Sequence, residues 1–320
     1  MLLNLVLIIT GIVLLYYGAE WLVGGSCSLA FRFGLSPLVV GLTIVAFGTS
    51  APELAVCLRL NGTGSPDAAL GNVVGSNICN ILLILGVSAL IRPMTANRQV
   101  LTREMPILIL VSLILWGMLL DGILTISEGA FLTVGILCYI FSSLRLASRG
   151  KISAEVIEEI DSDEEEIPHS AQKTTLLIVV GILALVGGAE FFQRGGVGLA
   201  EDLGVSKAVI GLSVLAFGTS LPELATSIVA CMKRKGDIIA GNAVGSSIFN
   251  ILAILGITAL VSPLKVPHVS PVDLSVMLGA AILGGVLMAV GKKLGRIEGS
   301  LMLLCYFIYI WMVAQRGGGA

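Results

Sequence analysis

Charged side chains are scarce in this sequence: Asp, Glu, Lys and Arg make up 12% of the 320 residues, about half the share in soluble domains. Hydrophobic residues reach 56%, so lipid is the expected solvent for most of the chain. The net charge is only −2 and no basic patch occurs, which argues against a nucleic-acid partner. Two histidines and six cysteines without a Cys-x-x-Cys spacing argue against a zinc centre or a disulfide framework. We expect no cofactor.

What the sequence does contain is two blocks that each occur twice. The first block, GLTIVAFGTSAPEL, begins at Gly41 and recurs as GLSVLAFGTSLPEL from Gly211. The second block, GNVVGSNICNILLILG, begins at Gly71 and recurs as GNAVGSSIFNILAILG from Gly241, so both shifts are 170 residues. All four blocks lie in strongly apolar sequence, and internal duplication of this kind is typical of membrane transporters.

The apolar segments predict an all-α integral membrane protein with ten transmembrane helices. A span needs roughly 20 apolar residues, and on that basis we place helices near 2–26, 36–59, 68–91, 105–121, 123–145, 174–197, 206–232, 238–261, 271–290 and 297–315. Gly18-Ala19-Glu20 recurs as Gly188-Ala189-Glu190 with the same shift. The first apolar segment is therefore predicted to be a helix of the mature fold rather than a cleaved leader.

A polar linker at residues 148–172 divides the chain into a first five-helix repeat, 1–147, and a second, 173–320. An odd number of spans per repeat turns the second copy upside down in the membrane, so we predict an inverted repeat. With the N-terminus outside, fourteen Lys and Arg residues fall on the inner face and five on the outer face. This positive-inside bias predicts a multi-pass protein of the cell membrane with both termini outside and the linker in the cytoplasm.

The linker itself is strongly acidic, with eight carboxylates in the twelve residues of Glu155–Glu166. Clustered carboxylates attract Ca²⁺, but the segment lacks the glycine and the ligand spacing of an EF-hand loop. We interpret it as a solvated tether, with a regulatory calcium site as the alternative.

The first block places oxygen ligands on one face of a broken helix. Pro52 lacks an N–H group, which disrupts the preceding turn and is expected to free carbonyls around Ala46 and Thr49. Thr49 and Ser50 lie four and three residues before Glu53, so both hydroxyls share a helix face with the carboxylate. Such an all-oxygen set suits hard cations such as Na⁺ and Ca²⁺. The second copy repeats it at Ala216, Thr219, Ser220, Pro222 and Glu223.

The second block carries a polar stripe on an otherwise apolar helix. Its members are spaced four residues apart in each copy: Asn72, Ser76 and Asn80, and then Asn242, Ser246 and Asn250. We interpret Asn72 and Asn242 as residues that join helices by hydrogen bonds. The other four need something polar opposite them, and Glu53 and Glu223 are the expected partners.

The duplicated acid, Glu53 and Glu223, is the strongest functional signal. A charge inside the membrane is costly unless it holds a counter-ion. A symmetric fold brings the two carboxylates together near the bilayer midplane, where one Ca²⁺ or two Na⁺ neutralise their repulsion. Competition of two ions for one site is the physical requirement for exchange. The alternative, carboxyl groups kept protonated as structural donors, leaves the neighbouring hydroxyls and the broken helix unexplained.

The motifs GTSAPE and GTSLPE, followed by GNVVGSNICN and GNAVGSSIFN, resemble the alpha-repeats of sodium/calcium exchangers of prokaryotic type, in the cation/calcium antiporter superfamily. The resemblance covers nearly the whole chain. It implies a cluster of four ion sites, alternating access by sliding of the first and sixth helices, and a monomer. The ion ligands that it implies are Ala46, Thr49, Ser50, Glu53, Ser76, Asn80, Ala216, Thr219, Ser220, Glu223, Ser246 and Asn250, with the two alanines acting through their carbonyls.

One position departs from part of that superfamily, because some members have an aspartate where this chain has Asn250. Both Asn80 and Asn250 are neutral here, which argues against K⁺ co-transport.

Four further acidic residues stand outside the motifs. Glu20 and Glu190 either guide cations towards the site or lie among interfacial groups at helix ends. Asp67 and Asp237, which precede the third and eighth spans, are expected to be helix N-caps.

The sequence thus predicts a secondary antiporter, not an enzyme, that exports Ca²⁺ as Na⁺ runs inward through the lipid bilayer. The alternative is H⁺/Ca²⁺ antiport, in which H⁺ titrates the same carboxylates. The separate monovalent sites offered by the hydroxyl- and carbonyl-rich blocks favour Na⁺. A cation channel and an intramembrane hydrolase with a carboxylate dyad are two further classes. The duplicated hydroxyls argue against the hydrolase.

Overall fold

The computed structural model of the chain describes residues 1–149, 170–203, 216–267, 270–291 and 293–317. In chain order the elements are α1 (Leu2–Phe33), α2 (Pro37–Thr49), α3 (Ala51–Gly62), α4 (Pro66–Ile91), β1 (Met94–Thr95), α5 (Val100–Asp121), β2 (Ile123–Leu124), α6 (Ile126–Arg149), α7 (Ala171–Asp202), α8 (Ala216–Gly218), α9 (Leu221–Met232), α10 (Gly236–Val261), β3 (Leu264–Lys265), α11 (Pro271–Gly291), β4 (Lys293–Leu294) and α12 (Arg296–Gly317). The acidic stretch Glu155–Glu166 lies outside the described residues.

Within these ranges, eight helices are long and apolar enough to cross a bilayer, and the bent pair α2–α3 makes a ninth span. The side chains on the outer surface of α1, such as Leu2 and Ile9, are exposed and apolar, as a lipid-facing surface requires. The prediction of a multi-pass membrane protein is confirmed. The predicted seventh span, 206–232, falls partly on 204–215, which the structure does not describe.

The predicted helix break occurs in both copies of the first block. Ser50 lies between α2 and α3 with φ −85° and ψ 2°, and Ser220 precedes α9 with φ −87° and ψ 5°. The axes of α2 and α3 differ by 42°. Pro52 and Pro222 take the second position of the new helix, where a missing N–H group leaves no intrahelical bond unmade. The proline therefore starts a helix rather than kinking one, and it places a glutamate in the first turn.

The two longest helices, α1 and α7, pack antiparallel with their backbones in contact. A Cβ atom on Gly18 would lie 2.8 Å from the backbone nitrogen of Leu185, and one on Gly181 would lie 2.7 Å from that of Leu22. Only glycine permits so close an approach. The contact glycines recur every seven residues, at Gly11, Gly18 and Gly25 on α1 and at Gly181, Gly188 and Gly195 on α7.

The second block lies on α4 and α10, whose residues are mostly buried. Each helix changes from α to π geometry inside the block, at Cys79–Ile84 and at Asn250–Leu255. A π turn inserts one residue and shifts the side chains that follow it, and such turns are frequent at functional sites. Apolar side chains such as Ile78 and Leu255 fill the space around these turns.

Two short β ladders join the halves of the chain. β1 pairs with β4, with Met94 opposite Leu294, and β2 pairs with β3, with Leu124 opposite Leu264. Moving each residue by 170 positions into the other half turns one ladder into the other. A two-fold relation between the halves produces such an exchange.

Asp67 and Asp237 are not N-caps, contrary to expectation. α4 begins at Pro66 and α10 at Gly236, so each aspartate is the second residue of its helix. Proline is well suited to the first helical position, and this moves the start of α4 one residue ahead of Asp67. The carboxylate of Asp237 instead accepts hydrogen bonds from Asn97 Nδ2, at 3.0 and 3.1 Å.

Candidate cation site

The carboxylates of Glu53 and Glu223 lie in the first turns of α3 and α9, and neither residue has any exposed surface. Both oxygens of Glu53 and Oε2 of Glu223 have no hydrogen-bond partner among the described residues. A buried carboxylate without partners is strongly unfavourable in its charged form. The pair therefore requires a compensating positive charge.

The hydroxyls of the first block turn towards the opposite half of the chain. Ser50 Oγ donates to Glu223 Oε1 at 3.1 Å. Thr49 Oγ1 lies 3.4 Å from Ser246 Oγ. The shared helix face predicted for Ser50 and Glu53 does not lead to a hydrogen bond between them, because docking of the halves brings Glu223 within reach of Ser50.

Asn72 and Asn242 join helices, as predicted. Thr49 Oγ1 donates to Asn242 Oδ1 at 3.2 Å, and Asn242 Nδ2 donates to Ser227 Oγ at 3.2 Å. In the other half, Thr219 Oγ1 donates to Asn72 Oδ1 at 3.1 Å. The two asparagines thus hold the broken helix of the opposite half at the site.

Further polar atoms at the predicted site are buried without a partner in the described part of the chain: Ser76 Oγ, both amide atoms of Asn80, Oδ1 of Asn250 and Ser220 Oγ. Nearly all buried polar groups in folded proteins are hydrogen-bonded. Outside the site, the partnerless buried atoms among these residues are single hydroxyls, of Ser26, Ser88, Thr226 and Thr258. Partnerless carboxylates and amides thus concentrate at the predicted ligands. Their oxygens could coordinate a cation, whereas Asn80 Nδ2 is a donor and could not.

The expectation that the Ala46 carbonyl is freed from helix hydrogen bonding was wrong. Its oxygen accepts a hydrogen bond from the Ser50 N–H at 3.0 Å, because the helix continues through Thr49 before it breaks. Thr49 Oγ1 is a second donor within reach of this oxygen, at 3.4 Å. The second lone pair of the Ala46 oxygen is open to a cation when the single hydroxyl proton of Thr49 points to Asn242 instead. In the second half, Ala216 is the first residue of α8.

Sequence reasoning missed Asn77, which lies on α4 beside the predicted stripe. Asn250 Nδ2 donates to Asn77 Oδ1 at 3.0 Å, and both side chains are buried. The residue that corresponds to Asn77 in the second block is Ser247, which is also polar. The polar residues at both equivalent positions, Asn77 and Ser247, were the sequence signal that could have identified Asn77.

Glu20 and Glu190 form ion pairs away from the two central carboxylates. Glu20 Oε1 lies 3.3 Å from Lys233 Nζ, just beyond the end of α9. Glu190 pairs with Arg194 on its own helix. The two residues are equivalent in the repeat, but the ion pair of Glu20 joins two helices of different halves, whereas that of Glu190 stays within one helix.

Within the described ranges, no group of three or more His, Cys, Asp or Glu side chains is arranged to hold a metal ion. The donors at the site are two carboxylates among neutral hydroxyl and amide oxygens. This set lacks the soft or imidazole ligands of a transition-metal centre and suits Na⁺ or Ca²⁺.

Comparison with known proteins places this geometry in context. The family profile described as "Sodium/calcium exchanger protein" matches residues 3–145 and 173–315. The chain is 35% identical to the "Putative antiporter CaxA" of Alkalimonas amylolytica, over 98% of this chain and 99% of that protein. It is 29% identical to the "Sodium/calcium exchanger MaX1" of Methanosarcina acetivorans, over 96% and 97%. A solved structure of the sodium-calcium exchanger NCX_Mj matches with a TM-score of 0.84 and 31% identity, over 98% of this chain and 99% of that chain.

Proposed function

The chain belongs to the sodium/calcium exchanger protein family, whose members are transporters and not enzymes, and we propose that it exchanges Na⁺ for Ca²⁺ across the cell membrane by alternating access. The observation that carries the proposal is the pair Glu53 and Glu223: both side chains are fully buried, and both keep carboxylate oxygens without partners among the described residues.

Charge balance explains why such a site exchanges ions. Two carboxylates in a low-dielectric interior repel each other strongly, and one Ca²⁺ or two Na⁺ supply the same neutralising charge. The neutral oxygens around them add ligands without adding charge. Ions that compete for these donors exclude one another, so the release of one is coupled to the binding of the other.

The full ligand set of the proposal is the one predicted from the sequence. The carboxylates of Glu53 and Glu223 are its centre, and the ions are substrates rather than resident cofactors. The neutral ligands are Ala46, Thr49, Ser50, Ser76, Asn80, Ala216, Thr219, Ser220, Ser246 and Asn250.

The proposed architecture is two inverted five-helix repeats, 1–147 and 173–320, with ten spans and both termini outside. The exchange of the two β ladders under the 170-residue shift supports a two-fold relation between the halves. The excess of Lys and Arg on one side supports the orientation. In this arrangement the linker 148–172 lies in the cytoplasm, and the protein works as a monomer.

The dependence of Ca²⁺ uptake on an Na⁺ gradient tests the proposal directly. Purified protein in vesicles loaded with Na⁺ should take up radiolabelled Ca²⁺ at least tenfold faster than in K⁺-loaded vesicles, at fixed pH and clamped voltage. Internal Na⁺ is carried outward and released at the outer face, and this release frees the carboxylates for external Ca²⁺ only if both ions share them.

A different outcome would select another transport mode. Uptake that ignores Na⁺ but follows a pH gradient would replace the proposal by H⁺/Ca²⁺ antiport on the same carboxylates. Uptake that needs no counter-ion at all would indicate a channel.

The packing of the broken helices is asymmetric, which supports alternating access. α1 packs along α9, and Glu20 joins it to Lys233 at 3.3 Å. The corresponding pair in the other half, α7 and α3, both of them described in full, does not pack in this way. The counterpart of Lys233 is Thr63, so the ion pair cannot form there. We infer that the cytoplasmic end is closed and held by Glu20.

Loss of this ion pair should shift the access equilibrium. In Glu20→Gln, hydrogen–deuterium exchange of Leu221–Met232 in ion-free protein is expected to rise about two- to fivefold, since a partly exposed ion pair contributes at most about 1 kcal/mol. Glu190→Gln is the matched control: among the described residues Glu190 pairs with Arg194 on its own helix, so its loss should leave this exchange unchanged. Equal exchange in both variants and the parent would show that Glu20 does not hold the cytoplasmic end.

A further inference from the structure

Three buried polar groups form a directed chain of hydrogen bonds between α4 and α10. Asn77 Nδ2 donates to the backbone carbonyl of Ser247 at 3.2 Å. Asn250 Nδ2 donates to Asn77 Oδ1 at 3.0 Å. Asn77 is 2% exposed, and Ser247 and Asn250 are fully buried. The chain ends at Asn250 Oδ1, which has no hydrogen-bond partner among the described residues.

The direction of this chain is dictated by chemistry. The amide orientation of an asparagine is assigned from its hydrogen-bond partners. A backbone carbonyl can only accept, so the nitrogen of Asn77 must face Ser247, and its contact with Met277 Sδ at 3.7 Å requires the same orientation. The oxygen of Asn77 then faces Asn250, which must present its NH₂ group. The one remaining acceptor is Asn250 Oδ1.

We propose that Asn77 is a positioning residue for ion binding: it holds the amide of Asn250 in the orientation that directs the carbonyl oxygen to the cation site. This inference rests on the proposed function, in which Asn250 is a ligand. The orientation matters because the NH₂ end of an amide is a donor with positive partial charge and repels a cation. Without Asn77, the amide can rotate by half a turn and present that end to the ion.

The repeat itself provides the control. The residue equivalent to Asn77 is Ser247, whose Oγ donates to the carbonyl of Ala243 one turn earlier on its own helix. Both amide atoms of Asn80, the counterpart of Asn250, lack a partner in the described residues. Ser247 therefore does not orient Asn80, and Ser247→Ala removes a buried side-chain hydrogen bond without disturbing either amide.

The test is a comparison of Asn77→Ala in two backgrounds. With Asn250 present, we expect the KM for Ca²⁺ in Na⁺-driven uptake to rise about five- to tenfold, as the loss of one good ligand predicts, with the maximal rate within about twofold. In Asn250→Asp, both carboxylate oxygens are acceptors and no orientation is needed, so Asn77→Ala should change the KM by less than about twofold. Ser247→Ala should be silent in the Asn250 background.

Other results would overturn the proposal. An equal rise of KM in both backgrounds would mean that Asn77 acts through packing, and an unchanged KM with Asn250 present would mean that it does not act on the site. Asn77→Leu, which keeps the number and branching of the side-chain heavy atoms, should reproduce Asn77→Ala if the acceptor oxygen is what matters.

Failure of the proposed function gives a different pattern. If the parent protein shows no Na⁺-driven uptake, exchange is refuted. The positioning of Asn250 is then read from the Ca²⁺ concentration that gives half of the thermal stabilisation, measured on the same variants. A rise with Asn77→Ala only in the Asn250 background supports the proposal, and no rise refutes it.

Discussion

Glu53→Gln and Glu223→Gln are each expected to abolish Na⁺-driven Ca²⁺ uptake while leaving the ion-free protein at least as stable as the parent. Removing one member of a buried, compensated set of charges costs about 3–5 kcal/mol, which corresponds to a loss of affinity of roughly one hundred- to several thousandfold. The glutamine is also neutral, so the cost of burying a second carboxylate disappears. Melting temperatures with and without Ca²⁺ and Na⁺ measure the loss of ion affinity and the stability of the ion-free protein on one sample, and the vesicle assay measures uptake.

Glu104 is a matched control for these variants, because it is a fully buried glutamate whose oxygens are satisfied. It accepts hydrogen bonds from Tyr139 Oη at 2.9 Å and Gln99 Nε2 at 3.0 Å, and it pairs with Arg103 at 3.2 Å. Glu104→Gln should therefore destabilise the ion-free protein by about 1–3 kcal/mol and leave the Ca²⁺-dependent stabilisation intact. If Glu53→Gln kept full ion-dependent stabilisation, Glu53 would not be a ligand.

Gly188→Val is expected to separate α1 from α7 and to destabilise the protein by about 3 kcal/mol. A Cβ atom at this position would lie 2.9 Å from both the Gly11 carbonyl oxygen and the Leu15 backbone nitrogen, and 3.0 Å from Leu14 Cβ. Backbone atoms cannot move aside as a flexible side chain can, so the helices must shift apart. The melting temperature in detergent measures the effect.

A valine at the neighbouring Gly187 serves as the control that separates the effect of close helix packing from the effect of helix propensity. Gly187 lies on the same turn of α7, and a Cβ atom added there would meet no described atom within 4 Å apart from its chain neighbours and the backbone of its own helix. Gly187→Val carries the same cost of a β-branched residue in a helix but meets no backbone. Comparable loss of stability in both variants would mean that close approach at Gly188 contributes nothing.

The helix break could be predicted because its cause is local. Pro52 and Pro222 remove a backbone donor wherever the rest of the chain lies, and the break duly occurs at Ser50 and Ser220. The role of Asn72 as a helix-joining residue could be predicted for a similar reason, since a polar stripe on an apolar helix must face another helix.

The pairing across the halves could not be predicted from spacing. Ser50 is three residues from Glu53 but donates to Glu223, 173 positions away. The π turns on α4 and α10 shift the polar residues of the second block, and no local motif announces such turns. Asn77 was missed because its importance comes from Asn250 on another helix.

The sequence by itself determined the lipid environment of the chain, the two repeated blocks, the helix break before each glutamate and the oxygen-rich character of the side chains there. Composition, periodicity and proline have these effects within a few residues. Tertiary structure alone decided which hydroxyl meets which carboxylate, which amide oxygens keep no partner among the described residues and which broken helix α1 packs against. These contacts join residues far apart in the chain. They depend on how two similar halves dock, and the halves can be alike in sequence while packing differently at their two ends.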